Sequence, residues 1–168
     1  MKKVLLVLAG VLFFSFALPG EGKLLTKENL WRVINQMDIK YPDLVFAQAV
    51  LETGHFKSAN CINNNNLFGM KLPRLRETVA TKGSKGYAKY TDWVQSVYDY
   101  KLYQDYMFSK KEYTRTQYMS MLDRTYSEGK NYTVKLKSII KKHKYIILKP
   151  VTNDTIQKAD TSARFSMG

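Results

Sequence analysis

Cysteine occurs once in the 168 residues, at Cys61, so no disulfide can close within the chain in any compartment. Histidine occurs twice, at His55 and His143, and no pair among these three residues has metal-ligand spacing. Neither a metal site nor a cofactor is expected. Cys61 itself reads either as a thiol nucleophile or as a small, partly buried loop side chain. Acid is scarce: 14 Asp and Glu face 27 Lys and Arg, a formal charge of +13. Long apolar runs are absent except for residues 4–18, broken only by Gly10 and Ser15. That run falls short of the roughly 20 residues of a membrane span. Lys2 and Lys3 precede it and Ser15-Phe16-Ala17 closes it, so residues 1–20 are expected to be a cleaved signal peptide, and the mature protein to be exported.

What is present suits one domain, expected over 24–148 and long enough for a real core. Without Lys2 and Lys3 the charge is 25 − 14 = +11, and such a surface suits a polyanion. With export expected and no nucleic-acid motif in view, anionic envelope polymers are the expected partner rather than nucleic acid. Leu30, Val33, Ile34 and Met37 recur at helical spacing behind Thr26, a candidate N-cap. Pro42 opens a second helix, apolar nearly all round, that Gly54 should end; it reads as the central buried helix.

From His55 to Lys89 the period breaks into loops and a small irregular hairpin, with LFGMK and TVAT as the only candidate strands. Thr91 is the expected N-cap of the next helix, with Trp93, Val97, Tyr100 and Tyr103 or Gln104 on one side. Two further helices are expected near 115–126 and 131–143. In the last, Val134, Ile139 and Ile140 should face inward and Lys135, Lys137, Lys141, Lys142 and Lys144 outward. Residues 149–168 read as a disordered tail. The expected class is mainly α, a helical domain with a small β-hairpin lobe.

Glu52 ends the apolar helix, beside the loop that holds Asn63 to Asn66. A helix C-terminus contributes about −0.5 charge, and the apolar neighbours offer poor solvation. Both raise the pKa of a carboxyl group. An acid still protonated near neutral pH is what general-acid cleavage of a glycosidic bond requires. Gln48, one turn earlier, lies on the same face and is placed to orient it. Asparagine amides suit sugar hydroxyl and acetamido groups, and the 12 tyrosines offer faces for sugar rings. Each feature has a plainer reading: an exposed helix-end glutamate, turn-forming asparagines, core tyrosines. The residues alone leave both open.

The stretch QAVLETGHFKS…NNLFGMK, followed by GYAKYTDWVQSVYDY and MLDRTYSEGKNYTVKLKSII, resembles the family 73 glycoside hydrolases. These are bacterial glucosaminidase domains, akin to mannosyl-glycoprotein endo-β-N-acetylglucosaminidase, that cut peptidoglycan. The resemblance spans about 26 to 144. It implies a lysozyme-like helical fold with a cleft between lobes, and an autolysin-type activity on the β-1,4 bond between N-acetylglucosamine and N-acetylmuramic acid. It puts the catalytic acid on Glu52 and site-shaping roles on Gln48, Asn66, Phe68, Tyr90 and Tyr132. Phe68 also reads as an apolar residue packed beneath the site.

Many members of that family carry a second acid in a longer hairpin. Here only Glu77 is available, and it reads equally as an ion-pair partner of Arg74 or Arg76. Alternatives are a lytic transglycosylase, which needs one Glu, and a glycan-binding module without turnover. Nothing among the residues points to amide cleavage. The expected state is a monomer.

Overall fold

The computed structural model describes residues 24–126 and 131–150. The expected signal segment, and the expected tail from residue 151 onward, lie outside the described residues. Within them the order is α1 (Lys27–Gln36), α2 (Pro42–Glu52), α3 (Ala59–Asn64), β1 (Thr81–Lys82), β2 (Ala88–Lys89), α4 (Trp93–Lys110), α5 (Arg115–Tyr126), α6 (Tyr132–Lys142) and α7 (Lys144–Ile147). The fold is mainly helical with one small antiparallel sheet, the expected class.

Thr26 caps α1, its hydroxyl oxygen accepting from the Asn29 backbone N–H at 3.0 Å. Leu30, Val33, Ile34 and Met37 are buried together, as their spacing requires. Pro42 opens α2, and residues 44–50 are buried without a break, so this helix has no solvent face. It packs against both α1 and α6. The chain leaves α2 through Thr53 into three successive left-handed residues, Gly54, His55 and Phe56, with φ of 53°, 59° and 70°. Glycine adopts that conformation freely; His and Phe do so only under constraint from their surroundings. The turn after Glu52 is therefore a strained one.

The structure departs from the sequence expectations in four places. The asparagine run is not all loop: residues 59–64 form α3, capped by Ser58, whose hydroxyl accepts from the Cys61 N–H at 3.2 Å. The hairpin pairs Thr81 with Lys89 and Lys82 with Ala88. LFGMK contributes only an isolated bridge from Lys71 to Tyr87, and TVAT only its last residue. Asp92, not Thr91, caps α4, its carboxylate accepting from the Val94 N–H at 2.6 Å. In α6, Val134 is 60% exposed, and the inward stripe is Tyr132, Leu136, Ile139 and His143. That i, i+4, i+7, i+11 stripe turns Val134 outward and leaves Ile140 half-buried at its edge. Lys135, Lys137, Lys141, Lys142 and Lys144 are exposed, as expected.

Candidate active site

Two helices that are distant in sequence build the centre. α2 delivers Glu52 at its last turn and α6 delivers Tyr132 at its first. The packing of these helices brings the Tyr132 hydroxyl to 2.8 Å from Glu52 Oε1, to which it donates. Burial pushes the Tyr132 phenol well above its ordinary range, and the negative charge of Glu52 pushes it further. Tyr132 thus keeps its hydrogen and donates it to Glu52. Tyr126, at the end of α5, stacks on it with ring centroids 5.7 Å apart and planes 17° from parallel.

Glu52 is half-buried and opens onto a cleft of about 530 Å³. Its other oxygen, Oε2, faces Gly69: a Cβ added there would lie 3.7 Å from it. Gly69 also holds φ +65°, where any other L residue would be strained. Phe68, Gly69 and Met70 line the cleft on this side, with Lys71 and Tyr87 continuing the wall. Tyr103, Thr125 and Tyr126 line it from α4 and α5. Glu52 is the only acid among the described lining residues.

Three of the motif residues, Gln48, Asn66 and Tyr90, are buried and do not line the cleft. Asn66 is 1% exposed and staples the segment that carries Gly69. Its Nδ2 donates to the carbonyls of Met70 and Ala88, both at 2.8 Å, and its Oδ1 accepts from the Met70 N–H at 3.0 Å. Phe68 lies beneath the cleft against Tyr100, centroids 4.2 Å apart. Gln48 is fully buried and makes no hydrogen bond to Glu52. Its Oε1 instead accepts from the Tyr100 hydroxyl at 2.7 Å. Tyr100 has thereby given away its only hydrogen, so the 2.6 Å contact between the two phenols must run from Tyr118 to Tyr100. Gln104 Nε2 donates to Tyr118 at 2.8 Å and to the Lys40 carbonyl at 2.9 Å, which ties this chain to the entry of α2.

Tyr90 is likewise buried. Its hydroxyl donates to Asp99 Oδ2 at 2.8 Å, and Asp99 was not singled out by the sequence reading. Asp99 also receives a two-pronged bond from Arg76, 2.8 Å at each nitrogen, and the Thr78 hydroxyl at 2.6 Å. Burial alone works against the charge of Asp99. The guanidinium and the two hydroxyls outweigh it and hold the carboxyl below its usual range. This cluster fastens residues 76–78 to α4. Arg76 also lies 5.8 Å from the ring centre of Tyr103 on the cleft wall.

Glu77 stands apart. It is exposed, does not line the cleft, and its side chain pairs with neither Arg74 nor Arg76, because Arg76 is committed to Asp99. The ion pair expected for Glu77 is replaced by a backbone contact: Arg76 donates to the Glu77 carbonyl at 2.7 Å. Cys61 is buried, and burial pushes its thiol up, away from the reactive thiolate.

A half-buried carboxyl held by a phenol in an open, tyrosine-walled cleft can, when protonated, give its hydrogen to a bound oxygen. Residues 27–145 match the glucosaminidase family, described as mannosyl-glycoprotein endo-β-N-acetylglucosaminidase. The chain belongs to the glucosaminidase family. Among solved structures it is similar to the catalytic domain of the autolysin Auto from Listeria monocytogenes. That similarity is 23% in identity, with a TM-score of 0.46, over 74% of this chain and 88% of that one. No curated protein matches the chain. In this glucosaminidase the two oxygens of Glu52 have different neighbours: Oε1 accepts from Tyr132, while Oε2 lies toward Gly69, a cleft-lining residue.

Proposed function

We propose that this glucosaminidase is a peptidoglycan hydrolase that cleaves the β-1,4 bond between N-acetylglucosamine and N-acetylmuramic acid, with Glu52 as general acid. The observation that carries the reading is the Tyr132–Glu52 hydrogen bond at the wall of the cleft. As the proton passes to the leaving oxygen, negative charge grows on Glu52. The Tyr132 hydrogen bond strengthens with that charge, so it favours the transition state over the ground state. The half-buried surroundings keep the bond from being diluted by water.

Digestion of purified sacculi, with mass spectrometry of the new chain ends, tests the proposal. Glu52→Gln keeps the shape of the side chain and removes the ionisable proton. Turnover should fall by about 10²–10⁴-fold, the usual worth of general-acid catalysis, or roughly 3–5 kcal/mol of barrier. Glu77→Gln should cut at close to the parent rate, because its carboxylate lies outside the cleft. A folded Glu52→Gln protein that still digests sacculi normally would remove the proposal's central residue.

A second reading shares the cleft. With Glu52 as the only acid among the described lining residues, the attacking group can come from the substrate itself. One route is attack by the neighbouring acetamido group, which ends in hydrolysis. The other is attack by a muramic hydroxyl, as in a lytic transglycosylase. Reducing N-acetylglucosamine ends support hydrolysis; anhydro-muramic ends support the transglycosylase.

The same reading places the enzyme outside the cell membrane as a monomer on the anionic wall. The signal-like segment 1–20 supports export, and the lysine-rich outer face of α6 supports attachment to the anionic wall. N-terminal sequencing of exported protein should show a start shortly after Ala17, and sedimentation should show a single-chain mass.

A further inference from the structure

Where a second carboxylate was expected, the chain has gathered cations. Residues 71–89 carry Lys71, Arg74, Arg76, Lys82, Lys85 and Lys89 against one acid, Glu77. Arg76 is committed to Asp99. The four lysines are exposed, and among the described residues none has an ion-pair partner. One of them is inside the site: Lys71 is the only cation among the described residues that line the cleft. Its backbone is pinned by the bridge to Tyr87 and by the Asn66 bonds to the adjoining Met70. A lysine that merely balanced charge would sit against a carboxylate. Lys71 instead stands exposed on the cleft wall, with no carboxylate paired to it among the described residues.

The glycan of the proposed reaction has the matching group. Each muramic unit bears a lactyl ether that ends in a carboxyl, which is either free or amide-linked to a short peptide with carboxylates of its own. A polymer of N-acetylglucosamine alone has none. Resting on the reading given above, we infer that Lys71 determines specificity. Its ammonium engages a carboxylate carried by the muramic unit next to the scissile bond, so anionic glycan binds better than neutral glycan of the same length.

The test compares soluble glycan strands with peptides attached, strands stripped of peptide, and each after carbodiimide amidation of its carboxylates. Amidation should raise the KM of the parent enzyme roughly twofold to fivefold, the range for an ion pair partly screened by water. In Lys71→Met the KM should be the same before and after amidation, while Lys71→Arg should keep the difference. An effect on peptide-free strands identifies the lactyl carboxylate; an effect confined to peptide-bearing strands identifies the peptide. A parent enzyme indifferent to amidation, or a Lys71→Met enzyme that still discriminates, overturns the inference. If no strand yields new chain ends with any enzyme, the glycosidase reading falls first and takes this inference with it.

Discussion

At Glu52 the two carboxylate oxygens meet different surroundings, and the difference belongs to Tyr132 and Gly69 rather than to the acid. Oε1 accepts the tyrosine's hydrogen bond, and Oε2 lies toward Gly69, which has no side chain. Removing the hydroxyl while keeping the ring isolates the first effect. Tyr132→Phe should leave the Tyr126 stack and the fold in place. It should lower kcat roughly 10- to 100-fold, as expected from losing a hydrogen bond to a charged group, about 1.5–3 kcal/mol. KM should change much less, because the bond strengthens only as Glu52 gives up its proton. A kcat unchanged in Tyr132→Phe would mean that this bond holds the resting site only. Motif and position both singled out Glu52 in the sequence. What the sequence could not show was the layer to which each companion belongs. The resemblance gives Gln48, Asn66 and Tyr90 site-shaping roles, and the structure shows each hydrogen-bonded to a buried partner, Gln48 through its Oε1 alone. Asp99 escaped notice. An acid in a tyrosine-rich helix gives no sign of its partners, and those partners lie 9 to 23 positions away.

Among the elements, α1 and α2 were legible because each has ten or more residues and a buried stripe or a nearly all-round apolar surface. α3 was not. Six residues hold too little periodicity to be seen, and Ser58 was its only start signal. The α6 stripe was misplaced because Val134 was counted inward on its apolarity, whereas the inward face descends from Tyr132 through Leu136 to Ile139. That correction leaves the opposite face intact. Lys135, Lys137 and Lys141 are all exposed on α6, whose inner side presents Tyr132 to Glu52. One helix thus combines a contact to the acid with a cationic exterior. Screening limits each exterior charge to about 8 Å at physiological salt. Replacing the three lysines with Gln should therefore weaken binding to whole sacculi and flatten its salt dependence, while turnover of short soluble glycans stays near the parent value. Equal losses on both substrates would place those lysines in the chemistry instead.

Across the whole molecule the charge balance is lopsided at neutral pH, and acid makes it more so, since every proton taken up adds to a net +13. The buried group best placed to feel this is His143, 5% exposed at the joint of α6 and α7 and edge-on to Phe46 of α2 at 6.0 Å. Burial disfavours its charged form first, followed by Lys27 of α1, Lys142 of α6 and His55 after α2; only Glu28 acts the other way. Its pKa is therefore lowered from the ordinary 6.5. Well above that value neither the folded nor the unfolded chain holds the proton, and stability does not depend on it. As pH falls below 6.5 the unfolded chain takes the proton and the folded chain does not, so unfolding gains until the lowered folded pKa is passed. Asp99 works at lower pH. Its carboxyl is held below the ordinary 3.8, so its contribution is complete above that value and lost beneath it. The melting temperature should thus fall in two stages on acidification, the first beginning near pH 6.5 and the second near 3.8. His143→Gln, which cannot take up a proton, should abolish the first stage and leave the second. Thermal melts of both proteins across a pH series would decide it. An unchanged decline between about pH 6.5 and 5 in His143→Gln would assign the sensitivity to another group. With the first stage gone and the second unchanged, the α6–α7 joint, at the far end of the helix that carries Tyr132, would be the part of the domain that weak acid loosens first.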